Sequence, residues 1–379
     1  VALSLILLVG GVLITRGTAA LAEPVARFDA SRALTFQVSL PRDQYGTAVA
    51  REQFTTKVLD ALRQAPGVAA ATMTTNLPYS DNWWSASAEA EGFPGRKGER
   101  PVVHVQRADE AFWKAMPVEI RAGRSLAASD AAGAQRVAVI NERMARMLYA
   151  GGDPVGRRFR LDDDREWTTV VGIAADYAHS WVQRGPQPTV FLAYRQSPAA
   201  TVSFLVRPQS GDPLKLAPVA RQSVAATDAR LPVYELKRFD KVINDNLVGI
   251  WYVAGFLGVA GLMSLVLAVT GLYSLMSFLV TERTREMGIR MALGAEAGSL
   301  LRLVVGEGGR LIALGAAIGL VGSLGLARLV SSLIFGVSAY DAVSLVGSTV
   351  ALLAAGLMAC WGPARRASQV DPTIALRYE

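Results

Sequence analysis

Hydrophobic and polar positions follow two regimes along this chain. Residues 246–281 carry no charged side chain. As one helix they would measure roughly 50 Å at about 1.5 Å per residue, whereas a bilayer core needs only about 20 residues. That stretch is long enough to span and also to protrude. Trp251 and Tyr252 near its start mark an interface. Two further charge-free runs are Leu311–Ala327, between Arg310 and Arg328, and Ala342–Trp361, ahead of Gly362, Pro363, Arg365 and Arg366. A buried core helix is the alternative, and these lengths weigh against it, so three full spans are predicted. The first fourteen residues, VALSLILLVGGVLI, are apolar but short for a crossing. They read as the outer part of a truncated first span, or as a signal-peptide core ahead of Ala20-Leu21-Ala22. No positively charged region precedes them to support the second reading, so the chain is expected to leave the membrane near Thr15.

Between 15 and 245 the periods are those of a folded domain. Leu34, Phe36, Val38 and Leu40 alternate with Thr35, Gln37 and Ser39, a half-buried strand over 34–40. Thr47–Ala65 places Phe54, Val58 and Leu62 on one helical face and stops at Pro66-Gly67. A strand at 137–140 runs into a helix, Asn141–Tyr149, with Asn141 as cap and Gly151-Gly152 at its end. Further strands are expected at 167–173, 189–194, 201–207 and 231–236, and a helix at Leu214–Thr227. Strands and helices interleave, so the domain is α+β.

Composition agrees with a membrane assignment. Of 379 residues 51% are hydrophobic and 19% charged, and the mean hydropathy is +0.28, against about a quarter charged in soluble domains. The net charge of +7 does not point to nucleic acid, because no base-reading motif or basic stripe accompanies it. Its distribution sets the orientation. Arg283, Arg285, Arg290, Arg302 and Arg310 lie between the second and third spans, and Arg365, Arg366 and Arg377 follow the last, while 332–341 has no Lys or Arg. The positive-inside rule puts 281–310 and the tail in the cytoplasm and 15–245 outside the cytoplasmic membrane.

Candidate chemistry is sparse. Cys360 is the one cysteine and lies in an apolar run; His104 and His179 have no ligand cluster at metal spacing, so no metal or cofactor is expected. There is no nucleotide-binding G-x-x-x-x-G-K-[ST] and no G-x-S-x-G elbow, so no catalytic residue is assigned. Asp162, Asp163 and Asp164 read as a solvated turn. Trp83 and Trp84, in the run DNWW, read either as a loop cluster packed on the domain or as an external contact surface. The spans hold no ionisable group near the midplane, which disfavours an ion-coupled carrier. Gly315-x-x-x-Gly319, continued by Gly322 and Gly325, offers a close-packing face, and Gly255, Gly258 and Gly261 do the same on the second span. The loop after the second span carries Glu282, Arg283, Arg285, Glu286 and Arg290, with Glu286 and Arg290 spaced for a helical ion pair and Thr284, Met287, Gly288 and Met291 on another face. It reads as a short helix, ended by Gly294, whose methionines suit an adaptable contact.

These features converge on a resemblance. ERTREMGIRMALGA (282–295) resembles the signature loop of the FtsX-like permease domain of MacB-type ABC transporter subunits, and PARRASQVDPTIALRYE (363–379) resembles that family's closing segment. GRSLAASD (123–130), VAVINERMARMLY (137–149), DPVGRRFRL (153–161) and VVGIAADYAH (170–179) look like the MacB-like periplasmic core domain, and FGVSAYD (335–341) fits the short outer connection. VALSLILLVGG and LPVYELKRFD look most like the duplicated orphan permeases related to MacB, which carry two such units per chain; this sequence holds one.

The resemblance implies a membrane protein with an α-helical transmembrane bundle and a large α+β extracytoplasmic MacB-like core domain. The expected boundaries are a truncated first span at 1–14, the external domain at 15–245, spans at 246–280, 303–331 and 342–362, a cytoplasmic coupling segment at 281–302, an outer loop at 332–341 and a tail at 363–379. It implies a non-catalytic permease subunit, driven by an ABC ATPase on a separate chain, acting with a second permease unit and membrane lipid. Glu282, Arg283, Arg285, Glu286, Gly288, Arg290, Leu293 and Gly294 are the implied ATPase-coupling positions. The alternative is a membrane-anchored external sensor or scaffold without transport.

Overall fold

The computed structural model describes residues 1–26, 29–80, 84–91, 100–149, 152–162, 164, 166–177, 186–283, 289, 297–331 and 341–367. Contacts divide the chain into two units, Leu21–Val248 and Val1–Ala20 with Gly249–Glu379.

Among the described residues the first unit holds eleven strands. Four form an antiparallel sheet in the order β11 (Tyr234–Arg238), β1 (Leu34–Ser39), β10 (Thr201–Pro208), β2 (Val68–Thr74). Phe36 on β1 stands opposite Phe204 on β10, their rings stacked at 4.9 Å. Helix α2 (Ala48–Gln64) begins where Thr47 accepts a hydrogen bond from the Ala50 N–H, and it buries Phe54, Val58 and Leu62 against this sheet. The segment 213–227 is a 3-10 turn, Pro213–Leu216, followed by α5 (Ala217–Thr227).

Six more strands close on themselves: β4 (Val102–Ala108), β3 (Ser85–Ala90), β7 (Arg158–Leu161), β8 (Thr168–Ala174), β6 (Val137–Asn141), β9 (Thr189–Ala193) and back to β4. The β4–β9 and β6–β8 pairs are parallel. The interior is filled by small and branched side chains, Ala86, Ala88 and Val103 among them. A short strand, β5 (Ile120–Gly123), pairs with β8, and a short helix, α3, covers Phe112–Ala115. Helix α4 (Glu142–Tyr149) packs on the ring through Met144 and Leu148. Its cap is Asn141, whose side-chain oxygen accepts from Met144 N at 3.0 Å and from Thr189 N at 2.9 Å.

Strands β2, β3, β4, β5 and β7 were not anticipated. SASAEA has no β-branched or aromatic residue, so local propensity does not mark it; Ala86, Ala88 and Ala90 are nonetheless buried in the ring. The strand expected at 231–236 starts at Tyr234.

The second unit is helical. Among the described residues three helices are long and apolar enough to cross a membrane: Trp251–Glu282 within α6 (Phe239–Glu282), Val305–Arg328 within α7 (Ala297–Ser331) and Ala342–Arg366 within α8 (Ala342–Ala367). Tyr252, Phe256 and Leu267 on α6 are 76%, 74% and 71% exposed, an apolar surface suited to lipid rather than water. Helix α1 runs Ala2–Ala26, twelve residues past the expected limit at 14, because polarity limits the lipid-soluble part and not the hydrogen-bonded helix. The other helices also outrun their apolar cores. α6 starts at Phe239 with Asp240 in its first turn, α7 starts at Ala297, and α8 passes through Pro363 to Ala367. Pro363 falls in the last turn and a half, where it removes the N–H bond to the Ala359 carbonyl.

Candidate functional site: the ends and seams of the membrane helices

Helix α1 lies between α6 and α7, and glycines set the approach on both sides. A Cβ built on Gly315 would stand 2.6 Å from Val1 Cγ1, one on Gly319 2.9 Å from the Ala2 carbonyl oxygen, and one on Gly322 2.7 Å from Ile6 Cδ1. Gly319 faces the backbone of Ala2, where only hydrogen fits, while Gly315 and Gly322 face the side chains of Val1 and Ile6. Gly325 has nothing within 4 Å and takes no part in this seam. On the other side a Cβ on Gly261 would be 3.2 Å from Leu8 N, and one on Gly11 would be 3.3 Å from Gly258 N. Ser4 Oγ donates to the Ser264 carbonyl at 2.9 Å across that seam.

Toward the end of the unit that carries Glu282, α6, α7 and α8 converge. A Cβ on Gly308 would lie 2.5 Å from Cys360 Sγ and 3.2 Å from Met276 Sδ. Met276, Cys360 and Ala364 are buried there with Ile312. Arg283 Nη1 donates to Glu307 Oε1 at 2.8 Å, joining the end of α6 to α7. At the opposite end Arg16 Nε is 3.3 Å from Asp341 Oδ2, and Asp341 caps α8 by accepting from Ser344 N at 3.0 Å. About 30 Å of helix separates Asp341 from Trp361, and about 33 Å separates Trp251 from Tyr273, each close to one hydrocarbon thickness.

Of the implied coupling positions, Glu282 and Arg283 are exposed at the end of α6. Arg285, Glu286, Gly288, Arg290, Leu293 and Gly294 lie outside the described residues, as do Trp83 and His179. Trp84 is 44% exposed, with Arg107 Cζ 4.6 Å above its ring. Asp162 sits in the turn between β7 and β8, where it accepts from Ser87 N at 2.8 Å, and Asp164 pairs with Arg136 at 3.2 Å. Among the described residues no group of three His, Cys, Asp or Glu could hold a metal ion.

A buried polar seam between β2 and β4 escaped the sequence reading. Gln106 Nε2 donates to Thr74 Oγ1 at 2.7 Å and to the Asn76 carbonyl at 2.9 Å, while its Oε1 accepts from Tyr177 at 2.9 Å. Asp109 accepts from Arg63 and from Thr72. Burial pushes the Asp109 carboxyl up to about 6, outweighing the pull of Thr72 and Arg63 in the other direction. Burial also raises Tyr177 and lowers His104. Asp130 is different: burial would raise it, but the Arg124 guanidinium, at 2.8 and 2.9 Å, and the Ala127 N–H hold it below the usual carboxylate range. The polar side chains on β4 itself, QRA after VVHV, were the one available signal, since an alternating strand exposed on one face would not place them so.

Comparison with known proteins fits this geometry. Residues 1–218 match the MacB-like periplasmic core domain and residues 258–372 the FtsX-like permease C-terminal model. The chain is 26% identical over 290 residues to the macrolide export ATP-binding/permease protein MacB of Hahella chejuensis, covering 73% of this chain and 43% of that protein. It is 26% identical over 295 residues to the uncharacterized ABC transporter permease YknZ of Bacillus subtilis, covering 74% and 71%. The solved periplasmic region of MacB from Actinobacillus actinomycetemcomitans aligns with a TM-score of 0.40 at 11% identity, covering 57% of this chain and 92% of that one. The chain thus spans less than half the length of the Hahella MacB relative. It belongs to the family of ABC transporter permeases that join a MacB-like periplasmic core domain to an FtsX-like permease part, as a multi-pass cell-membrane protein with its large domain outside the cytoplasm.

Proposed function

We propose that the chain is a non-catalytic permease subunit that relays nucleotide-driven movement of a separate ABC ATPase to its external domain, in efflux or another task done outside the membrane. Movement enters at the cytoplasmic segment after α6, through Glu282, Arg283, Arg285, Glu286, Gly288, Arg290, Leu293 and Gly294. The observation that carries this reading is α6 itself, unbroken from Phe239 to Glu282. It has no proline or π-turn, which would absorb displacement along its axis. The glycine seams support it further: helices packed backbone to backbone, without a polar lining, suit shifting elements better than a water-filled channel. A second permease unit, as a homodimer partner or the other half of a duplicated chain, completes the assembly.

The test is co-reconstitution with a candidate ATPase. Arg290→Glu is expected to abolish stimulation of ATP hydrolysis while leaving membrane insertion intact. Stimulation equal to the parent's removes the coupling assignment. A chain that recruits no ATPase and binds an external ligand is instead the sensor.

A further inference from the structure

Arg365 and Arg366 close α8 with an arrangement that the coupling role does not use. Side chains on a helix tilt toward its N-terminus, which for α8 is the outer end. Both arginines therefore run back toward the bilayer. Arg365 Cζ lies 5.4 Å from the ring of Trp361, one turn earlier on the same helix, and Arg366 Cζ lies 5.9 Å from the ring of Tyr273 on α6. The two helices touch at that ring: a Cβ on Gly362 would be 3.4 Å from Tyr273 Cε2. Trp361 is 55% exposed and both arginines are exposed, while Pro363 and Ala364 beneath them are buried.

Arginines at a membrane boundary ordinarily extend to water. These two fold back to the level of the aromatic belt, where phosphates of the lipid headgroups lie. Stacking engages the face of a guanidinium, and oxyanions are gripped by its edge.

We propose that Tyr273, Trp361, Arg365 and Arg366 form a site for the phosphate of an anionic phospholipid in the cytoplasmic leaflet, bridging α6 and α8. The site rests on the membrane orientation and not on ATPase coupling, so the two can fail separately.

The test uses the full chain in nonionic detergent. Phosphatidylglycerol, phosphatidylcholine and inorganic phosphate are each titrated, with bound lipid counted by native mass spectrometry and melting temperature followed in parallel. One phosphatidylglycerol per chain is expected to bind and stabilise. The Arg365→Gln, Arg366→Gln double variant weakens it about twenty-five-fold, at about fivefold per arginine. Tyr273→Leu keeps every charge and weakens it about fivefold, and it decides the matter where the double variant does not fold. Arg302→Gln, which removes an exposed charge on α7, leaves binding unchanged. Equal binding of phosphatidylcholine, equal stabilisation by inorganic phosphate, or equal weakening by Arg302→Gln each overturns the proposal.

Discussion

Arg283 Nη1 and Glu307 Oε1 meet at 2.8 Å, tying the residue that follows α6 to α7. Their side chains are 44% and 38% exposed. An exposed pair adds no more than about 1 kcal/mol to stability, so its effect is one of position.

The pair separates two roles for Arg283. Arg283→Glu alone is expected to lower ATPase stimulation with little change in melting temperature. Combining it with Glu307→Arg rebuilds the pair with signs exchanged. Recovery of stimulation in the double variant identifies an internal brace, and persistent loss identifies a direct contact with the ATPase. Steady-state hydrolysis in proteoliposomes reads both.

The α1–α7 seam predicts a position-dependent response to bulk. Gly319→Val is expected to destabilise the membrane unit by about 1–3 kcal/mol, because Ala2 and Leu5 stand against that face and backbone cannot yield as a side-chain tip can. Gly325→Ala, with nothing within 4 Å, should be silent. Thermal unfolding in detergent compares the two, and equal effects would mean that the seam is not a close contact.

Gln106 joins β2, β4 and Tyr177, and removing it strands their polar groups. Gln106→Leu is expected to cost about 1–3 kcal/mol, seen as faster amide exchange at Thr74, Asn76 and neighbouring β4. Unchanged exchange would show that water replaces the side chain without loss.

Asp109 makes the external domain pH-sensitive. Its folded value of about 6 exceeds the ordinary 3.8, so the fold binds this proton more tightly than the unfolded chain does. The contribution is full below about 3.8 and is lost as pH rises through 6, about 3 kcal/mol in all. Asp109→Asn should flatten melting temperature against pH between 4 and 6. A parent curve that rises over that interval would reverse the sign and remove the assignment.

How far the sequence could be read varied by element. Strand β1, helix α2 and the Asn141 cap were legible because their periods and capping chemistry are local: Phe54, Val58 and Leu62 fall on one face whatever they pack against. Strand β3 was not, because alanine and serine signal no strand until the ring is built around them. In the membrane unit the three apolar cores were plain, but helix limits were missed at Phe239, Ala297 and Ala367, since backbone hydrogen bonding continues where hydropathy stops. The glycines of α7 were visible as a pattern; which of them meets a neighbour was not.

By itself the sequence determined three helices of membrane-span length and a large external α+β domain. Charge, hydropathy and short periods act locally and need no partner. Only the tertiary structure decided that six strands close into a ring, that α1 sits in glycine seams between α6 and α7, that Arg283 meets Glu307, and that Arg365 and Arg366 fold back over aromatic rings. Each depends on the distance between residues far apart along the chain, or on the direction a side chain takes from a finished helix, and packing alone sets those.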